Sequence, residues 1–166
     1  MILYHGGLCV IEIPNVASGR AKVDFGKGFY LTDIKEQALR WANRRKRQSL
    51  KTIGFLNKYE YIENSNLKIK KFNGYDEEWL DFVVLNRTNN SDEAIGDYDI
   101  VVGNVADDEV IVAIDTYIEQ LEKGRTSEYS KPALLAELKY SNPNNQYAFK
   151  TEKSLIALKH IESDEI

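Results

Sequence analysis

Two short stretches carry side chains suited to gripping a flat, amide-bearing ring and the ribose attached to it. His5 closes a short apolar run, Ile2 to Tyr4, and is followed at once by Gly6 and Gly7. A neutral imidazole can donate to or accept from a ribose hydroxyl, and a backbone without side chains lets a ligand approach its amide and carbonyl groups. The second stretch, Asp24-Phe25-Gly26-Lys27-Gly28-Phe29-Tyr30-Leu31-Thr32, uses Gly26 and Gly28 to bring a backbone close and then offers the ring of Tyr30. Trp41, eleven residues on, supplies a second aromatic face. Ring-on-ring contacts contribute about 0.5–1.5 kcal/mol beyond the area they bury. Arg20, in a loop before the second stretch, offers a planar fork suited to a pyrophosphate. The glycine fingerprint of a dinucleotide-binding βαβ unit is not met, because its third glycine and its context are missing.

The elements expected to position these groups follow from periodicity. Ile2–Tyr4 and Leu8–Ile13 read as short strands, and Phe25–Leu31 as a strand that lets something near its backbone. Thr32 or Asp33 is expected to cap a helix whose one face carries Ile34, Ala38, Trp41 and Ala42. Residues 52–62 and 67–72 read as strands, Glu77–Arg87 as a helix, and Tyr98–Val102 as a short buried strand. Asp107–Lys123 has the clearest helical stripe: Val110, Ala113, Ile114, Tyr117, Ile118 and Leu121, with Asp107 and Asp108 at its positive end. Pro132 opens a further helix in its first turn. Gln146–Lys150 reads as a strand, and Thr151 as the cap of a last helix running through Leu158, with His160 near its end and an acidic tail beyond. Strands and helices do not alternate regularly, which favours α+β over a doubly wound sheet.

Composition bounds the function. A chain of 166 residues suits one domain, spanning 1–166, and buries about 70% of its unfolded surface. No run approaches the ~20 apolar residues of a membrane span, so no membrane partner is expected. One cysteine, Cys9, excludes an internal disulfide and zinc spacing; it reads as a buried thiol, and a cytoplasmic setting is expected. No motif calls for a metal. The net charge of −4 argues against a general nucleic-acid binder, and Arg44-Arg45-Lys46-Arg47 reads as a solvated helix end, with docking of an acidic protein surface or a nucleic-acid backbone as the lesser alternative.

The pair His5-Gly6 and the Asp24–Thr32 run resemble the first two motifs of ADP-ribosyltransferases of the diphtheria toxin and poly(ADP-ribose) polymerase type. The chain is similar over most of its length, including Gln37-Ala38, Trp41-Ala42, Tyr98–Gly103 and Gln146–Leu155, to a bacterial family of unknown function grouped in that superfamily. The resemblance implies a split β-sandwich with surrounding helices and NAD as substrate. It implies that His5 orients the ribose hydroxyls, Gly6 bonds the nicotinamide amide through its backbone, and Tyr30 stacks on the nicotinamide ring. Trp41 matches the second stacking aromatic in spacing, and Gly28 lies in the close-approach segment. The usual catalytic glutamate is replaced: in Asn144-Asn145-Gln146-Tyr147 its place falls on Gln146. Gly7 and Ala38 stand where those enzymes carry a hydroxyl. The implied activity is mono-ADP-ribosyl transfer to an unknown protein or nucleic-acid acceptor, or NAD glycohydrolysis. The setting that the resemblance implies is that of a bacterial toxin or effector with a neighbouring antitoxin-like partner. An inactive module that binds NAD or ADP-ribose is the alternative, with Gln146 in its favour.

Overall fold

The computed structural model describes residues 1–89, 96–105, 108–124, 130–138 and 145–166. The described chain is α+β: a seven-stranded mixed sheet with five helices. The strands are β1 (Ile2–Gly7), β2 (Phe29–Thr32), β3 (Phe55–Tyr61), β4 (Ile69–Lys71), β5 (Ile100–Asn104), β6 (Asn145–Phe149) and β7 (Leu158–Glu165). The helices are α1 (Lys35–Gln48), α2 (Glu77–Thr88), α3 (Asp108–Glu122), α4 (Lys131–Leu138) and α5 (Glu152–Leu155). The sheet order is β4-β5-β6-β2-β1-β3-β7, with only β4 and β5 parallel.

Period-two alternation sends side chains to two cores, one on each face. On β5, Val101 joins Phe25, Trp79, Leu80, Ile114 and Leu134, while Ile100 and Val102 join the opposite cluster. On β6, Ala148 takes the first side and Tyr147 and Phe149 the second. Helices α2, α3 and α4 close the first core. Asp76 caps α2 by accepting from the Trp79 N–H, and the Trp79 indole donates to the Asn104 carbonyl at 3.2 Å. The second core holds Leu3, Phe29, Leu31, Tyr59 and Tyr61, whose rings meet edge to face.

Four expectations are corrected. Residues 8–13 form no strand; buried Asn57 of β3 holds them as a loop, accepting from the Ile11 N–H at 2.8 Å and donating to the Cys9 carbonyl at 3.2 Å. Cys9 is exposed on that loop rather than buried. The last helix stops at Leu155. The chain then turns and pairs along β3 as β7, so His160 and the acidic tail are strand residues. The free edge of β3 is what overrides the helical signal: its unpaired N–H and C=O groups are satisfied by this partner, with Lys58–Glu162 at 2.8 Å across the pair. Finally, neither Thr32 nor Asp33 caps α1. Ile34 is its N-cap and lends no side chain; Thr32 turns inward, accepting from the Ile34 N–H and donating to Gln37 Oε1 at 2.6 Å. The expectations for Asp107 and Asn144 fall outside the described residues.

Candidate functional site

The centre of the sheet is where its halves part. β1 runs in register with β3 along its whole length but shares a single registered pair with β2, Tyr4↔Thr32. Beyond that pair the imidazole of His5 spans the gap, with Nδ1 2.8 Å from the Tyr30 carbonyl oxygen. A carbonyl only accepts, so Nδ1 carries the proton and Nε2 of the neutral ring is left as an acceptor. Burial holds the His5 pKa below its ordinary value; the bond to Tyr30 opposes this, and the charge of Arg45 adds to it. The ring stacks on Phe29 with centroids 4.7 Å apart. A Cβ at Gly7 would lie 3.3 Å from Nε2, so glycine there leaves that nitrogen uncovered.

Tyr30 is braced from behind. Its hydroxyl donates to the Gly26 carbonyl at 2.5 Å, and its half-buried ring packs against the first core. Burial pushes its pKa well up, with Asp24 adding to the rise and Arg20 partly offsetting it. The turn that receives the hydroxyl is itself held by buried polar groups. Gly26 has φ +74°, and a Cβ there would meet Asn86 Oδ1 at 2.3 Å and Lys150 Nζ at 2.9 Å. Lys150, just beyond the end of β6, donates to the Phe25 carbonyl. Burial brings its pKa down to about 8. Arg87 of α2 clamps Asp24 Oδ1 through Nε at 2.9 Å and Nη2 at 2.6 Å, and reaches Asp115 of α3 at 2.7 Å. Both Asp24 and Arg87 are about nine-tenths buried in this pair, with side chains 11% and 12% exposed.

Register places the remaining candidates. Tyr30 lies opposite Ala148 and Thr32 opposite Gln146, so the side chains of Tyr30, Thr32 and Gln146 point to one face of the sheet. His5, with Leu3 and Phe29, belongs to the other face, and its link to Tyr30 runs through the backbone carbonyl in the gap. Gln146 is half-buried, and its carboxamide has no hydrogen-bond partner among the described residues. Trp41 is half-buried on α1, with the Arg44 guanidinium 5.6 Å from its ring centroid. Neither Tyr30 nor Trp41 stacks on another aromatic ring among the described residues; Tyr30 packs against the first core, and Trp41 lies under Arg44. Arg20 is exposed, near enough for its charge to act on Tyr30.

Two glycines have packing reasons of their own. A Cβ on Gly6 would lie 1.9 Å from the Ala38 carbonyl oxygen, so α1 sits directly on β1 there. A Cβ on Gly28 would lie 2.8 Å from the Phe149 carbonyl oxygen. The braces Asp24, Arg87, Asn86 and Lys150 were not singled out from the sequence as parts of the site. Asp24 within the aromatic-glycine run was the available signal; its partner Arg87, sixty-three positions away, gave none.

Groups of three or more histidine, cysteine or acidic side chains able to hold a metal ion do not occur among the described residues. No described helix is long and apolar enough to cross a membrane. No curated protein and no solved structure matches the chain. One family model, "Protein of unknown function (DUF3990)", matches residues 1–160, nearly the full length, and the chain belongs to that family.

Proposed function

We propose that the gap between β1 and β2 binds NAD and that the chain transfers ADP-ribose from it to a single site on a macromolecular acceptor, or to water, in an ADP-ribosyltransferase-like split sandwich. The observation that carries this reading is the His5–Tyr30 link. It fixes the imidazole tautomer and presents Nε2 as an acceptor beside a glycine at the point where the sheet opens, while the Tyr30 ring, on the opposite face of the sheet, is braced by Gly26. A ribose hydroxyl donates to Nε2. The nicotinamide ring lies against Tyr30, and Trp41 flanks it from α1. Arg20, in the loop before β2 and close enough for its charge to act on Tyr30, supplies a cation for the pyrophosphate.

In the reaction the bond between the nicotinamide nitrogen and ribose C1′ breaks, and its electron pair stays with nicotinamide. The ribose carries the positive charge until the acceptor's nucleophile, or water, bonds C1′ and its proton passes to solvent. A carboxylate near that charge stabilises it; Gln146 is neutral and offers only a carboxamide oxygen. Loss of one such electrostatic group costs about 10²–10³ in rate, so the acceptor's own activation carries more of the work and chain elongation is disfavoured. The neutral Gln146 also supports a second reading, a module that binds NAD or ADP-ribose without cleaving it.

Incubating the protein with labelled NAD and a cell extract separates these readings. Nicotinamide release with label on macromolecules is the expected result, and release without label identifies hydrolysis. Protection of the fold by NAD without release identifies the binding module, and neither release nor protection refutes the NAD site.

A further inference from the structure

Asp33 follows the last residue of β2 and is left without a helix to cap, because Thr32 already accepts from the Ile34 N–H. Its Oδ1 is fully buried and has no hydrogen-bond partner among the described residues. Its Oδ2 meets only the Asn145 side-chain amide, at 3.5 Å, the long limit of a hydrogen bond. Asn145 and Tyr147, two apart on β6, point to one face of the sheet. Tyr61 of β3 lies over that face, its ring edge-on to Phe149 with centroids 5.5 Å apart. Tyr147 and Tyr61 are only 9% and 7% exposed, yet neither phenol hydroxyl has a hydrogen-bond partner among the described residues. Burial raises the pKa of Tyr147, and the charge of Asp33 and the phenol of Tyr61 add to the rise. Burial and then Glu63 do the same for Tyr61. The nearby Glu63 has its own cation, Lys71 at 3.8 Å, and both of those side chains are largely exposed. Asp33 has none among the described residues. An unmatched buried carboxylate oxygen is expensive, and buried phenols ordinarily find a partner.

We propose that this spot, where the end of β2 meets β6 and Tyr61 of β3, receives the guanidinium of an arginine side chain on a partner protein. Three acceptor oxygens, one of them charged, call for a cation with several N–H donors. A guanidinium carries five in a fixed plane, lies flat on aromatic rings, and is less strongly hydrated than an ammonium, so it gives up water more readily. Its bonds to the Asp33 carboxylate are charge-assisted, and the phenol oxygens take up donors that the carboxylate leaves. A carboxylate out in solvent would need no such partner. The buried Asp33 Oδ1 and the two unpaired, buried phenols set this spot apart from the acidic residues elsewhere on the surface. None of these side chains takes part in the NAD reading, and the inference stands without it.

The test is an NMR titration of the intact protein with N-acetyl-arginine amide, whose blocked ends leave only the side chain to bind. Saturable shifts confined to the surroundings of Asp33, Tyr61 and Tyr147 are expected, with a Kd of about 10 mM or tighter, the scale of one small group. N-acetyl-lysine amide and the neutral citrulline analogue are expected to bind at least about tenfold more weakly. Asp33→Asn should weaken binding by at least about tenfold. It should also keep or raise the parent's melting temperature, since it removes a buried charge that nothing in the fold offsets. Tyr147→Phe deletes one hydroxyl and should weaken binding about threefold at an unchanged melting temperature, a readout independent of how Asp33→Asn folds. No saturable shift up to about 100 mM, equal binding of the lysine or citrulline compound, or parent affinity in a folded Asp33→Asn or Tyr147→Phe protein would overturn the proposal. So would tighter binding of free L-arginine than of the amide, which would mark a small-molecule site instead of a protein dock.

Discussion

Replacing Gly6 by alanine tests how the helix that carries Trp41 is seated. The added Cβ would stand 1.9 Å from the Ala38 carbonyl oxygen, 2.8 Å from the Ala42 nitrogen and 2.9 Å from the Ala38 carbonyl carbon. All three are helix backbone, which cannot rotate aside as a side chain does. Restoring ordinary contact requires α1 to retreat from β1 by about 1.5 Å, and even a gap of 0.5–1 Å forfeits a quarter to a half of each contact it opens. Ala38 and Ala42, buried to 1% and 0% exposure, would lose their packing on the sheet. Overpacking of this kind costs about 3 kcal/mol, which lowers Tm by roughly 6–12 °C in a chain of this size. Urea and thermal unfolding followed by far-UV circular dichroism measure it. Gly7→Ala is the control: its Cβ would meet side chains alone, the His5 ring at 3.3 Å and 3.4 Å and Asn57 Nδ2 at 3.9 Å, and should cost no more than about 1 kcal/mol. If Gly6→Ala unfolds within about 0.5 kcal/mol of the parent, the close seating of α1 on β1 is wrong, and with it the position assigned to Trp41.

Other perturbations address the braces and the site. Arg87→Met strands the buried Asp24 carboxylate and should cost about 3–5 kcal/mol in urea unfolding, while Arg87→Met with Asp24→Leu should recover much of it; no recovery would show that the pair is not a coupled unit. The depressed His5 pKa means that the folded state binds fewer protons than the unfolded state. Stability contributed by neutral His5 is therefore fully present above about pH 6.5 and lost as pH falls through the lower folded value. A melting-temperature profile in acid should be flatter for His5→Gln than for the parent, and identical profiles would contradict the burial of the ring. Lys150 has the same sign at higher pH. With its folded pKa at about 8, stability should rise by up to about 3 kcal/mol between pH 8 and 10.4 relative to Lys150→Met, and parallel curves would refute it. Gln146→Glu should raise nicotinamide release by about 10-fold or more if the pocket is built for cleavage; an unchanged or lower rate would favour the binding module.

Legibility in the sequence followed the range of the interactions involved. The apolar run Ile100-Val101-Val102 and the helical spacing of Val110, Ala113, Ile114 and Tyr117 identified a buried strand and a helix with its core face, because burial imposes those patterns locally. Pro132 marked the first turn of α4 for an equally local reason. β7 was illegible: residues 158–165 show no regular alternation in burial, and they are held in a strand by the distant edge of β3. The 8–13 loop was misread because Asn57, far along the chain, takes up its backbone groups. At the site, residue types such as His5, Tyr30 and Trp41 could be picked out, but not their directions. The parity that separates the His5 ring from the Tyr30 ring follows from the pairing of β1 with β2, which no local pattern announces. The glycines pointed to close approach, yet what approaches Gly6 and Gly28 is the protein's own backbone.

The most direct test is calorimetric titration of NAD into the parent protein and into Tyr30→Ala. The account predicts saturable binding by the parent and at least tenfold weaker binding by the variant, whose melting temperature is checked alongside. No saturable heat with the parent, or equal affinity in a folded Tyr30→Ala protein, would contradict it.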